Sequence, residues 1–465
     1  VTLPTPRVSA LLVLVFLGFG VILGAAAASR VQDTLAAAAS APVRLVLPPT
    51  STQAPEAPSS TQSAEAPPIE PTPTPTAGAT STAAPASAAT PAASAPSKSK
   101  SESSGSTPAG STTKLPPVKH VFVIMLSDQP YAAAFGPSST APYLAHTLEH
   151  QGQLLVRYYA VAHEGLANEV ALLSGQGPTP ETALDCPTYT AIVPATTGAH
   201  QQVSGNGCVY PSATQTLAGQ LTAKHLTWKA YVEGIGEGAG GPPACAHPSF
   251  GAPDPSAAQA AGQAPSAYQT WRNPFVYFQA IADSPTCATH DLGMDGLGHD
   301  LASEASTANF TYIAPGPCDD GSPTACAPGH PSGMMAADAF LHKYVSLILS
   351  SKAYKKDGLL VITVDGAPTT GEYADSSSCC GQPRFPNLLA SEPSAPGLPP
   401  SGGGEVGALL LSRFVKGATT SQEQFNHFSL LRTIEDLFGV GHLGYAGLSG
   451  VTSFEPSVFS AYSPG

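Results

Sequence analysis

Charge is scarce in this chain. Acidic and basic residues make up 11% of its 465 positions, and Lys and Arg number 19 against 32 Asp and Glu. A net charge of −13 with so few cations speaks against nucleic acid and anionic membrane surfaces as partners. Cysteine is missing from the first 185 residues, and all eight lie downstream. No CxxC pair with a matching partner occurs, which disfavours structural zinc. From Val8 to Ser29 charge is absent altogether, and from Pro48 to about Pro116 large apolar side chains nearly are.

These gaps divide the chain. At about 1.5 Å per residue, the uncharged run of Leu, Val, Phe, Ile and Ala is long enough to cross a bilayer core of ~30 Å. Arg7 and Arg30 flank it without clear asymmetry. A short, weakly basic N-terminus stays inside, so the rest is expected outside the cytoplasm. Ala25–Ala28 resembles a cleavage site, but the run is long for a signal peptide. An anchored protein is therefore favoured over one secreted after cleavage. The Pro/Ala/Ser/Thr tract that follows cannot bury enough surface to offset chain entropy, and reads as a disordered stalk. The expected organisation is an anchor or signal segment over 1–30, a stalk over 31–116 and a folded domain over 117–465.

An even number of cysteines behind an export-like segment favours disulfides. The close pairs are Cys186/Cys208, Cys318/Cys326 and the adjacent Cys379–Cys380, which leaves Cys245 and Cys287 for each other. The sequence does not fix this connectivity, and a vicinal pair closes only a strained ring.

The folded domain alternates strand-like and helix-like segments. Val121–Met125 is an unbroken β-branched and apolar run, as in a buried parallel strand, and it ends in the polar loop Ser127–Pro130. Helices are expected at Pro142–Gly152, Leu166–Leu173, Thr216–Ala223, Met334–Ser350 and His427–Phe438. Further strands are expected at Leu154–Tyr158, Thr227–Val232, Phe310–Ala314, Gly358–Asp365 and Val406–Leu411. Apart from the two short elements just named, Val203–Gln263 reads mainly as loop, and so does Ala367–Gly404. The alternation predicts an α/β domain with a mostly parallel central sheet, helices on both faces and long loops pinned by cysteines. Ligands of such sheets bind outside the carboxyl ends of the strands. That criterion selects Ser127, Asp128, His163–Asn168, Asp319, Asp320, Asp365 and His427. Carboxylates and imidazoles at the ends of different strands are what a divalent-metal hydrolase needs, although each residue alone also reads as a cap or loop group.

Several stretches resemble the bacterial phosphoesterase family of phospholipase C and acid phosphatase, within the alkaline-phosphatase-like superfamily. They include VKHVFVIM at 118–125, YYAVAHEGLANEVALLSGQ at 158–176, NPFVYF at 273–278, DGLLVITVD at 357–365 and FNHFSLLRTIEDLFGVGHLGYA at 425–446. The resemblance implies an alkaline-phosphatase-like fold, phosphate-ester hydrolysis and divalent metal (Zn, Mn, Ca or Mg). It also marks departures. The family's Glu-Asn after the first strand is Ser127-Asp128 here, and its nucleophile position is Gly165, which has no attacking oxygen. The Asp-x-His-Asp loop reads Asp320, Gly321, Ser322, Pro323, and the Asp-Glu pair reads Asp365, Gly366.

No catalytic residue is therefore assigned. Asp128, Asp320, Asp365 and His427 remain as metal-ligand positions, expected to hold metal weakly if at all, and Asn168 and His163 as substrate-binding positions. The expected function is a membrane-tethered binding domain for a phosphate-ester or envelope ligand. The alternative is a rebuilt hydrolase using metal-bound water. The His290–Asp300 stretch and His330 are weaker metal candidates, and Asn309 begins a glycosylation-type triplet attributed to chance.

Overall fold

A computed structural model describes residues 115–236, 243–254, 267–323, 329–388, 402–454 and 457–463. The expected anchor and nearly all of the expected stalk lie outside the described residues. Among the described residues, no helix is long and apolar enough to cross a membrane.

The strands are β1 (His120–Leu126), β2 (Gln153–Leu155), β3 (Tyr158–Tyr159), β4 (Val193–Thr197), β5 (Val203–Asn206) and β6 (Trp228–Val232). They continue with β7 (Asp291–Leu292), β8 (Phe310–Ala314), β9 (Gly358–Val364), β10 (Ala408–Ser412), β11 (Thr419–Ser421) and β12 (Phe425–Asn426). Eight of them form one sheet in the order β11-β2-β10-β9-β1-β8-β6-β7. Only β10 runs antiparallel to its neighbours β9 and β2, so this sheet is mostly parallel as expected. Every residue of β1 and β9 is buried, which requires cover on both faces. Each fully buried Val, Leu or Ile there contributes roughly 1.5–3 kcal/mol. The two strands are flush: His120 lies opposite Gly358 and Leu126 opposite Val364. Their following residues, Ser127 and Asp365, therefore emerge side by side.

The helices that matter for the site are α1 (Gly165–Ser174) and α2 (Leu217–Ala223), then α3 (Met334–Ser350), α4 (Lys352–Asp357) and α5 (His427–Phe438). All ten residues of α1 are buried, so it is a core helix without a solvent face. In α5 the Asn426 side chain accepts from Ser429 N–H at the start, and Gly439 at φ 63° ends the helix in the left-handed region.

Three local expectations are corrected. Pro142–Gly152 is a π-helical turn, Tyr143–Leu148, followed by a 3₁₀ turn, Glu149–Gln151. The single strand expected at Leu154–Tyr158 is divided: β2 joins the main sheet and β3 pairs with β12. β5, expected as loop, forms a hairpin with β4. Because β4 is largely exposed, it carries no apolar alternation to announce it.

Disulfides link Cys186 to Cys208 around that hairpin, Cys245 to Cys287, and the neighbours Cys379 and Cys380. The expected Cys318/Cys326 pairing involves a residue outside the described set.

Candidate functional site

Three loops leave the carboxyl ends of the adjacent strands β9, β1 and β8, and they are stitched together by main-chain groups. Ser127 N–H donates to Asp320 C=O at 2.8 Å, and Gln129 N–H donates to Gly366 C=O at 3.1 Å. Gln129 Nε2 donates to Gly321 C=O at 2.6 Å. The loops open onto a cleft of about 200 Å³ lined by Ser127, Asp128, His163, Glu164, Gly165, Asp185, Gln269, Trp271, Pro317, Asp320, Ser322 and Asp365. Asp128, Asp320 and Asp365 thus meet at one place, together with His163 and the Gly165 position.

Carboxylates dominate the lining, and burial weakens their charge. Asp128 is pushed up to about 6 by burial and then by Asp365, Glu164 and Asp320. Asp320 also reaches about 6 through burial, against the pull of Arg272 and the N–H of Ser322. Burial and Asp365 raise Glu164, while burial and Glu164 raise Asp185. Asp185 has a second task, since it accepts from Leu166 N–H at 2.9 Å and so caps the start of α1.

Arg272 lies behind the cleft and is fully buried. Its Nη1 donates to Asp365 Oδ2 and to Glu169 Oε1 of α1, each at 2.8 Å. Nη2 donates to the carbonyl of Met125 on β1, and Nε to that of Pro315, the residue after β8, at 3.4 Å. Burial opposes its charge, but Glu169, Asp365 and Asp320 outweigh burial and keep the guanidinium protonated.

Asp365 is engaged on both oxygens, since Oδ1 accepts from Asp128 N–H at 3.1 Å. His427 is also committed, which corrects its reading as a ligand. Its Nε2–H donates to the Asp365 carbonyl at 3.1 Å, which leaves Nδ1 to accept from Tyr158 O–H at 2.9 Å. Burial lowers its pKa to about 4, so the ring is neutral. No three of the ligand atoms that Asp128, Asp320, Asp365 and His427 offer lie within 4.8 Å of one another, and both nitrogens of His427 are committed, so as arranged this set does not fit a divalent ion. Among the described residues, the His, Cys and acidic ligand atoms gathered within 4.8 Å of one another are those of Cys245, Cys287 and Asp291, and the disulfide holds both sulfurs.

Asn168 is corrected as well. It is fully buried, accepts from the N–H groups of Val161 and Ala162, and donates to the carbonyls of Ala162 and Glu164. With all four hydrogen-bonding capacities used on this loop, it shapes the turn into α1 and has nothing left for a substrate. His163 does line the cleft, with Nε2 3.2 Å from Ser376 Oγ. In the His290–Asp300 stretch, Asp291 is buried against Asn273 Nδ2 at 2.7 Å, and Asp300 pairs with Lys229 and Tyr231.

Gly165 starts α1, and a Cβ built there would lie 2.5 Å from Trp271 Cζ3 and 2.6 Å from Asp365 Oδ2. At Gly366, where the family places an acid, a Cβ would lie 2.5 Å from the His163 carbonyl oxygen. At neither position does a side chain fit without a neighbour shifting. Sequence reasoning overlooked Trp271, Arg272, Glu169 and Asp185. One signal was present: an arginine directly ahead of the apolar run NPFVYF must find carboxylates if the segment is buried.

The Phosphoesterase family matches residues 126–441 of this chain. None of the curated proteins matches it. An alkaline phosphatase superfamily protein from Vibrio parahaemolyticus is 11% identical, with 72% of this chain and 69% of that one covered and a TM-score of 0.40. The phosphonate monoester hydrolase of Agrobacterium radiobacter is 10% identical, with coverages of 75% and 78% and a TM-score of 0.39. The lipoteichoic acid synthase LtaP from Listeria monocytogenes is 10% identical, with coverages of 70% and 74% and a TM-score of 0.38.

Proposed function

The chain belongs to the Phosphoesterase family, and we propose that it is an extracytoplasmic, membrane-tethered member that binds a ligand at the family's cleft without hydrolysing an ester. The observation that carries this reading is the closed nucleophile position. Gly165 offers no oxygen, and Trp271 and Asp365 fill the volume a nucleophilic side chain would need. The tether rests on the uncharged run at 8–29 and the Pro-rich tract behind it.

The lining supports a class of ligand. Five carboxyl groups face the cleft, and an anionic phosphate ester entering without a metal meets charge of its own sign. A hydroxyl-rich envelope component suits it better, because ionised carboxylates accept hydroxyl hydrogens and protonated ones donate. Trp271 adds an apolar wall.

The test is turnover of phosphomonoesters and phosphodiesters by the purified full chain, disulfides formed, with added Mn²⁺, Zn²⁺ or Ca²⁺. No turnover above the blank, with calorimetric binding of neutral glycans but not of inorganic phosphate, is the expected result. Turnover that Asp365→Ala abolishes would establish a rebuilt hydrolase instead.

A further inference from the structure

The carboxyl ends of β9, β1 and β8 are where a cation is needed to hold several acidic loops together. The structure places a cation there that belongs to the chain itself. Arg272 is fully buried and reaches Asp365 after β9, the Met125 carbonyl at the end of β1 and the Pro315 carbonyl after β8. It also reaches Glu169 on α1, so one guanidinium ties three adjacent strands to the helix that begins at the nucleophile position.

We propose that the Arg272 guanidinium is a built-in cation that takes the electrostatic place of the divalent metal, leaving a site that assembles and stays folded without metal. The inference rests on the reading of the chain as a non-hydrolytic family member. A planar guanidinium has five N–H donors and no titration in the physiological range, so it satisfies several acceptors at once and cannot be removed by chelation. Its charge also explains why Asp365 is unavailable to an external ion: Oδ2 faces Nη1 at 2.8 Å, and a dication added there would bring like charges together. The imidazole of His427, with both nitrogens hydrogen-bonded to Tyr158 and the Asp365 carbonyl, belongs to the same metal-free arrangement.

The test combines metal binding and stability. Equilibrium dialysis of the full chain against millimolar Mn²⁺ is expected to show no stoichiometric binding, and its melting temperature is expected to be the same in Mn²⁺ and in chelator. One equivalent of Mn²⁺ that is lost in Asp365→Asn overturns the proposal. Arg272→Met leaves two buried carboxyl groups unpaired and is expected to melt roughly 10 °C lower, or not to fold. Adding Glu169→Gln and Asp365→Asn to that variant removes the unpaired charge and is expected to restore most of the loss. If the triple variant is no better than Arg272→Met, Arg272 serves packing only and the proposal fails. The two readings fail separately. Ester turnover without bound metal would end the non-hydrolytic reading alone, and metal bound at Asp365 without turnover would end this one alone.

Discussion

At their amino ends, β1 and β9 are joined by a single buried pair, His120 Nδ1 and Asp357 Oδ1 at 2.6 Å. At their carboxyl ends the same strands are joined through Arg272, which lies 147 positions from Met125 and 93 from Asp365. The amino-end pair follows from the register, because His120 starts β1 opposite Gly358, the residue after Asp357. At the carboxyl end the register also supplies a bond, from Asp128 N–H to Asp365 Oδ1 at 3.1 Å, but no cation. Its loops bring together like charges, and only a residue from a distant segment balances them.

The largest expected effect comes from breaking the carboxyl end. Asp365→Ala leaves Arg272 with one carboxylate fewer in a buried site and should destabilise the protein by about 3–5 kcal/mol, measured by urea unfolding. The equivalent cut at the amino end, Asp357→Ala, removes one hydrogen bond to a charged group and should cost about 1.5–3 kcal/mol. A larger loss at Asp357 than at Asp365 would reverse the comparison.

Gly165→Ser puts a side chain within 2.6 Å of Trp271 and Asp365. It should destabilise by about 1–3 kcal/mol through overpacking and should restore no ester turnover. Substantial turnover from this one change would show that an active metal site survives.

The last comparison is a pH dependence. Burial holds His427 neutral in the folded state down to about pH 4, whereas the unfolded imidazole protonates near 6.5. The unfolded state therefore binds more protons in that window, and this residue's contribution to stability is lost as pH falls from 6.5 to about 4. His427→Gln should remove that slope, read as the difference in urea midpoints between the two proteins across the window. Equal slopes would place the histidine in a wetter site than the structure shows.

Much of the fold was legible because its signals are local. β8, α3 and α5 have the bounds the sequence predicts, and β6 and β9 differ from prediction by one residue. The π-helical turn at Tyr143–Leu148 and the exposed β4 were not legible, since neither departs from helical or loop composition. The site was half legible. Asp128, Asp320, Asp365 and His163 were found from strand ends, but Asn168 and His427 carry the right residue types in the wrong environment. Their polar atoms are already committed to neighbours that no motif displays.

The sequence alone determined the alternation of strands and helices, the family resemblance and the absence of a nucleophilic oxygen at residue 165. Periodicity, motif order and a side chain's chemistry are written residue by residue. The tertiary structure decided what stands at the carboxyl ends of the strands. Burial and long-range hydrogen bonding bring Arg272, Glu169 and Asp365 together across 93 and 103 positions, and that meeting is a property of packing that local sequence does not encode.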